Sequence, residues 1–203
     1  MNINNPYAQA GWYNPQNPHS INQRPRRPNS LTATFSALPS SHYSYESVYT
    51  FTFTSFNPDI GNCVVLGPNN RISLTVRTDT SGTIISKVNQ YDAVAVIRWE
   101  PHPTVEAASL LAPQLVGDFL KLSPDQRYRT MRADEKVYAW IPRQRGTSLY
   151  NAGPHPPRKF ARMRSNNDVT KIYLELSAEA FPRGLLIPCI LSTILFFSGR
   201  ILG

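Results

Sequence analysis

The chain has 203 residues, 41% of them hydrophobic, which suffices for one packed core and points to one domain, alone or with a tail. Its formal net charge of +8 disfavours cationic partners and biases any partner towards anions: phospholipid surfaces, nucleic acid or acidic proteins. The plain alternative is that a basic surface mainly keeps the chain dispersed.

Residues 1–45 are rich in Asn, Pro, Gln and Ser, and Pro6, Pro15, Pro18, Pro25, Pro28 and Pro39 punctuate them. Aliphatic residues are sparse there, so little apolar surface offsets the entropy of ordering the chain, and a disordered tail is expected. Tyr7, Trp12 and Tyr13 are candidate docking residues within it. No basic region followed by an apolar run opens the chain, so no secretory signal is expected. Arg24, Arg26 and Arg27 are spaced by prolines that exclude an amphipathic presequence helix.

From Glu46 the pattern changes to period two. Tyr49, Phe51 and Phe53 alternate with Thr50, Thr52 and Thr54, as on a half-buried strand. Turn residues at 57–62 and 67–70 bracket a short strand at 63–66. In 71–77 the alternation predicts Ile72, Leu74 and Val76 inward. Further strands are predicted at 83–88 and 93–99. The stretch 104–122 is open: Val105 to Leu115 reads as helical but for Pro113, and Val116 to Leu122 as a short strand or a helical turn. Strands resume at 128–132 and 137–141, joined by a turn at Asp134, Glu135 and Lys136. The last ones fall at 148–150, 159–163 and 171–176, where Ile172, Leu174 and Leu176 share one face. Strands spaced by about ten residues, with no long amphipathic helix, indicate a meandering all-β sandwich or barrel.

Residues 184–199 are uncharged and apolar on every side, so a helix there must be buried in protein or lipid. The run is shorter than the roughly 20 residues that span a bilayer. It also holds Pro188, Ser192 and Thr193, so burial within the protein is the favoured reading. A C-terminal membrane anchor on a cytosolic β-domain is the alternative, because the run lies at the end of the chain.

The order of features then carries a resemblance. An aromatic-rich first strand is followed by Ile-Arg-Trp-Glu at 97–100 and Arg-Thr-Met-Arg…Val-Tyr-Ala-Trp at 129–140. Lys-Phe-Ala-Arg at 159–162 and Leu-Glu-Leu-Ser at 174–177 lead into Ile-Leu-Ser-Thr-Ile-Leu-Phe at 190–196. Residues 46–203 thus resemble a family of fungal domains of unknown function, found mainly in mushroom-forming fungi. That family is similar to the tubby C-terminal and phospholipid-scramblase-like superfamily. The resemblance implies a closed antiparallel β-barrel of about twelve strands around a C-terminal hydrophobic α-helix at about 184–198. The loop 146–157 and the segment 101–113 depart from the pattern. Tubby-type domains bind phosphoinositide headgroups through particular basic residues, whose positions have no match here.

Candidate chemistry is thin. His19 and His42 lie in the tail, and His102 and His155 lie in proline-rich loops. No Gly-x-Ser-x-Gly elbow, phosphate-binding glycine loop or spaced carboxylate pair is present. The two cysteines, Cys63 and Cys189, form no metal-ligand spacing and suit a reducing cytosol, although one disulfide stays open. The expectation is a monomeric, cytoplasmic, non-enzymatic domain without cofactor or metal. The functional lead is basic: Arg127, Arg129, Lys136, Arg143 and Arg145 near one hairpin, and Arg158, Lys159, Arg162 and Arg164 in a second group. Arg127 and Arg129 share a face by period two, and Arg132 points the other way. Such a face attracts an anionic phospholipid at about 1 kcal/mol per charge, or an acidic protein. Nucleic acid ranks last, since no base-stacking aromatic pair is recognisable.

Overall fold

Thirteen strands form among the described residues, most of them where apolar and polar residues alternate, so that one row of side chains is buried and the other faces solvent. The computed structural model describes residues 47–88, 92–153 and 156–202. The expected tail and its docking residues therefore lie outside the described residues. The first meander comprises β1 (Val48–Thr54), β2 (Cys63–Leu66), β3 (Ile72–Thr78), β4 (Thr83–Lys87), β5 (Ala93–Arg98), β6 (Thr104–Ala107) and β7 (Leu111–Leu115). A one-turn helix, α1 (Val116–Phe119), follows. The second meander comprises β8 (Lys121–Leu122), β9 (Arg129–Ala133), β10 (Lys136–Arg143), β11 (Gly146–Asn151), β12 (Lys159–Ser165) and β13 (Ile172–Ser177). The terminal helix α2 spans Leu186–Phe197.

All neighbours pair antiparallel, in the order β7-β6-β5-β4-β3-β2-β1-β13-β12-β11-β10-β9-β8. Pairing of β1 with β13 splices the two meanders, with Phe51 opposite Leu174 and Phe53 opposite Ile172. All four side chains are buried, so the aromatic row expected on β1 meets the aliphatic row expected on β13.

The sheet bends around α2. Pro188 to Leu195 are buried without a break, hence on every side of the helix. The helix touches β5 and β13. Its Ser192 hydroxyl lies 3.5 Å from the Met131 Sδ on β9, and its Phe196 ring meets Trp140 of β10 edge-on at 6.1 Å. The two polar side chains within it donate to the preceding turn, Ser192 to the Pro188 carbonyl and Thr193 to the Cys189 carbonyl, both at 2.8 Å. Pro188 sits in the first turn, where a missing N–H breaks no helical bond. Twelve residues make a helix about 18 Å long, and no helix among the described residues is long and apolar enough to cross a membrane.

Two expectations need correction. Strand pairing does not join β7 to β8, so the sheet is open where a closed barrel was expected. α1 lies at that seam, against β6 and β9, with the Val116 N–H donating to the Pro103 carbonyl at 2.8 Å. The region left open at 104–122 forms a hairpin at 104–115, because Pro113 is tolerated on an edge strand, and a helical turn at Val116–Phe119. Ile72 is 50% exposed rather than inward, since the β2–β3 register shifts after Val65 and leaves it at the rim.

Candidate functional site

The β10–β11 hairpin and β12 bring part of the predicted basic set together on the outer wall. Paired residues on antiparallel strands share a face. Ser148 stands opposite both Ile141 on β10 and Arg162 on β12, and Arg162 stands opposite Glu175 on β13. Strict alternation along β12 would put Lys159 on the other face from Arg162. A bulge prevents this: Leu149 pairs with Ala161 but Tyr150 pairs with Lys159. Phe160 and Ala161 are both buried, and Lys159 joins the outer wall.

Arg143, Arg145, Lys159 and Arg162 consequently line one open groove of about 770 Å³, floored by Pro142, Ser148 and Tyr150. The Arg143 guanidinium lies 5.7 Å from the Tyr150 ring centroid. Arg162 Nη2 donates to the Arg145 carbonyl at 2.8 Å, which ties the turn to β12. Gly146 makes that turn possible. Its φ is +122°, and a Cβ would fall 2.1 Å from the Met163 carbonyl oxygen. Among the described residues no acid forms an ion pair with Arg143, Arg145 or Lys159. Glu175 marks the boundary of the groove: its Oε1 is 3.0 Å from Arg164 Nε and its Oε2 is 3.9 Å from Arg162 Nη1.

The other predicted residues fall elsewhere. Arg164 is engaged by Glu175 and stacks over the Tyr173 ring at 4.3 Å. Arg158 pairs with Glu179. Lys136 begins β10, seven residues from Arg143 and thus about 24 Å along the strand. Arg127 precedes β9 in an exposed turn, 3.8 Å from Asp125, whose carboxyl is held below its usual range chiefly by the Ser123 hydroxyl. Arg129 belongs to the inward row of Met131, opposite Trp140, and its Nη1 donates to the Leu120 carbonyl at 2.7 Å. It is half-buried at the seam, so the expected surface pair of Arg127 and Arg129 does not form. Tyr150, Ser148 and the opposing Glu175 were missed as parts of the site. The alternation of Arg162 and Arg164 hinted at a shared face, but nothing local named the strand across from it.

Groups suited to other chemistry stand apart. His102 is exposed between β5 and β6, and His155 lies outside the described residues. Cys63 and Cys189 are free thiols in the core. Burial, with the Asp59 charge adding to it, pushes Cys63 up to about 12; burial also raises Cys189. No group of three metal-ligating side chains occurs among the described residues.

No family model matches the chain, and no curated protein matches it. Among solved structures, an X-ray structure of a protein from Arabidopsis thaliana is similar at 14% identity over 74% of this chain and 93% of that one. Its TM-score of 0.38 is too low to carry an argument.

Proposed function

We propose that the chain is a non-catalytic β-domain that holds an anionic group in the groove of Arg143, Arg145, Lys159 and Arg162. The observation that supports this reading is that Arg143, Arg145 and Lys159, with no acid partner among the described residues, meet Arg162, held 3.9 Å from Glu175, around one concavity, against a wall where Arg158 and Arg164 are neutralised. An exposed, paired arginine contributes little to binding an outside anion, because the anion must displace the partner. Arg143, Arg145 and Lys159 carry no such cost, and only Arg162 shares its charge, with Glu175. Tyr150 and Pro142 add an apolar floor that favours an ester or side chain bearing the charge over a bare ion. The kinship with tubby and scramblase-like domains belongs to the same proposal, supported by the antiparallel sheet bent around a C-terminal helix.

Calorimetric titration of the full chain with inositol hexakisphosphate tests the reading, with neutral inositol as control. The polyanion is expected to bind, to weaken as salt is raised, and to lose about tenfold or more in affinity in Arg143→Glu/Arg145→Glu. Equal affinity of the double variant, equal binding of neutral inositol, or no binding removes the proposal.

A further inference from the structure

The basic groove does not stop at Arg162. A second groove, of about 810 Å³, adjoins it and shares Gln144, Arg145 and Arg162 with it. Ser165 at the end of β12, Asn167 in the turn after it and Phe197, the last residue of α2, carry the second groove onwards. Along β12 the two grooves together run from Lys159 to Ser165, about 20 Å of strand.

The two halves differ in charge. In the first, Arg143 and Lys159 have no acid partner among the described residues. In the second, Glu175 lies 3.0 Å from Arg164 and 3.9 Å from Arg162. The C-terminal end of α2 lies here too, where aligned carbonyl dipoles leave partial negative charge. The side chains of Gln144, Thr147, Ser165 and Asn167 are neutral, and none makes a hydrogen bond to another described residue. Each of these amides and hydroxyls can both donate and accept.

We infer, on the reading of the first groove as an anion site, that the double groove takes an extended peptide segment of a partner protein. The segment is about six residues long, acidic at the Lys159 end and uncharged at the Phe197 end. A ligand charged along its whole length would set its second half against Glu175 and the α2 carbonyls. A ligand with acceptors alone would leave the amide oxygens of Gln144 and Asn167 without donors. A peptide backbone offers one N–H and one C=O at nearly every residue, which the amides and hydroxyls pair with in turn. Its side chains alternate in direction. Apolar ones meet Tyr150 and Pro142 in the first groove and Phe197 in the second.

The experiment selects peptides from a random library displayed on phage against the immobilised full chain. Enriched sequences are expected to carry Asp or Glu at one end, followed by uncharged residues. The most enriched one, synthesised with a fluorescein label, is then titrated by anisotropy. Its affinity is expected to fall about tenfold or more in Arg143→Glu/Arg145→Glu. It is expected to fall about threefold or more in Ser165→Ala/Asn167→Ala, which removes two hydrogen-bonding groups. That variant is expected to melt like the wild type and to bind inositol hexakisphosphate equally well, since the polyanion needs only the first groove. Replacing the uncharged residues of the peptide by Glu is expected to weaken it about threefold or more, where a uniform polyanion site would strengthen it. The inference falls, and the first groove stands as an anion site, on any of four results while inositol hexakisphosphate still binds. These are no enrichment of acidic peptides, an all-Glu peptide that binds as tightly, full peptide affinity in Ser165→Ala/Asn167→Ala, or trigalacturonate binding more tightly than the peptide. Binding of neither peptide nor inositol hexakisphosphate removes both readings.

Discussion

The hydroxyl of Ser192 on α2 reaches the Met131 Sδ on β9 at 3.5 Å, across 61 positions of sequence. That contact places the terminal helix within the curve of the sheet. The helix is the core around which both meanders pack, so its side chains should dominate stability. Ile194 is fully buried. Ile194→Ala is expected to cost about 2–5 kcal/mol, since it removes transfer energy and leaves a cavity that a bent sheet closes only in part. Urea denaturation followed by circular dichroism measures it, and a loss below that range would mean the helix is peripheral.

Gly146 couples stability to the groove. Its φ of +122° and the nearby Met163 carbonyl exclude a side chain. Gly146→Ala is expected to lower stability by about 1–3 kcal/mol from the backbone conformation alone. It should also displace Arg145 and weaken polyanion binding. Thermal melting and calorimetric titration of the same sample check both.

Glu175 is the counter-charge closest to the groove, between Arg162 and Arg164. Glu175→Gln keeps the shape of the side chain and removes its charge. Affinity for inositol hexakisphosphate is expected to rise by about two- to fivefold, the range of a partly exposed ion pair. An unchanged affinity would show that Arg162 takes no part in anion binding.

The thiol of Cys63 gives a pH dependence of known sign. Burial raises its folded pKa to about 12, against about 8.5 in an unfolded chain. The unfolded thiol releases its proton first, so the stabilising difference is whole below about pH 8.5 and is lost as pH rises towards 12. Melting temperature is expected to fall through the alkaline range, and Cys63→Ser to flatten that fall at some cost in stability at neutral pH.

Local periodicity was enough for most strands. The strand of alternating aromatics at 48–54 and the run at 63–66 form where alternation places them, and Ile172, Leu174 and Leu176 share the buried face. The helix predicted at about 184–198 spans 186–197. The seam region 104–122 was ambiguous because Pro113 argues against a helix without saying which edge it would protect. Lys159 was grouped with Arg158, Arg162 and Arg164 by proximity in sequence, but its face depends on the bulge opposite Tyr150, which no pattern along β12 announces.

The sequence by itself determined that the chain is rich in β-strands, that its final apolar run needs shelter, and that cations concentrate between 127 and 164. These follow from side-chain period and from the cost of exposing apolar surface, both local properties. Only the tertiary structure decided that β1 splices to β13, that the sheet stays open at α1, and which cations meet in one groove. Those depend on register between distant strands, where a shift of one residue turns a side chain to the opposite face.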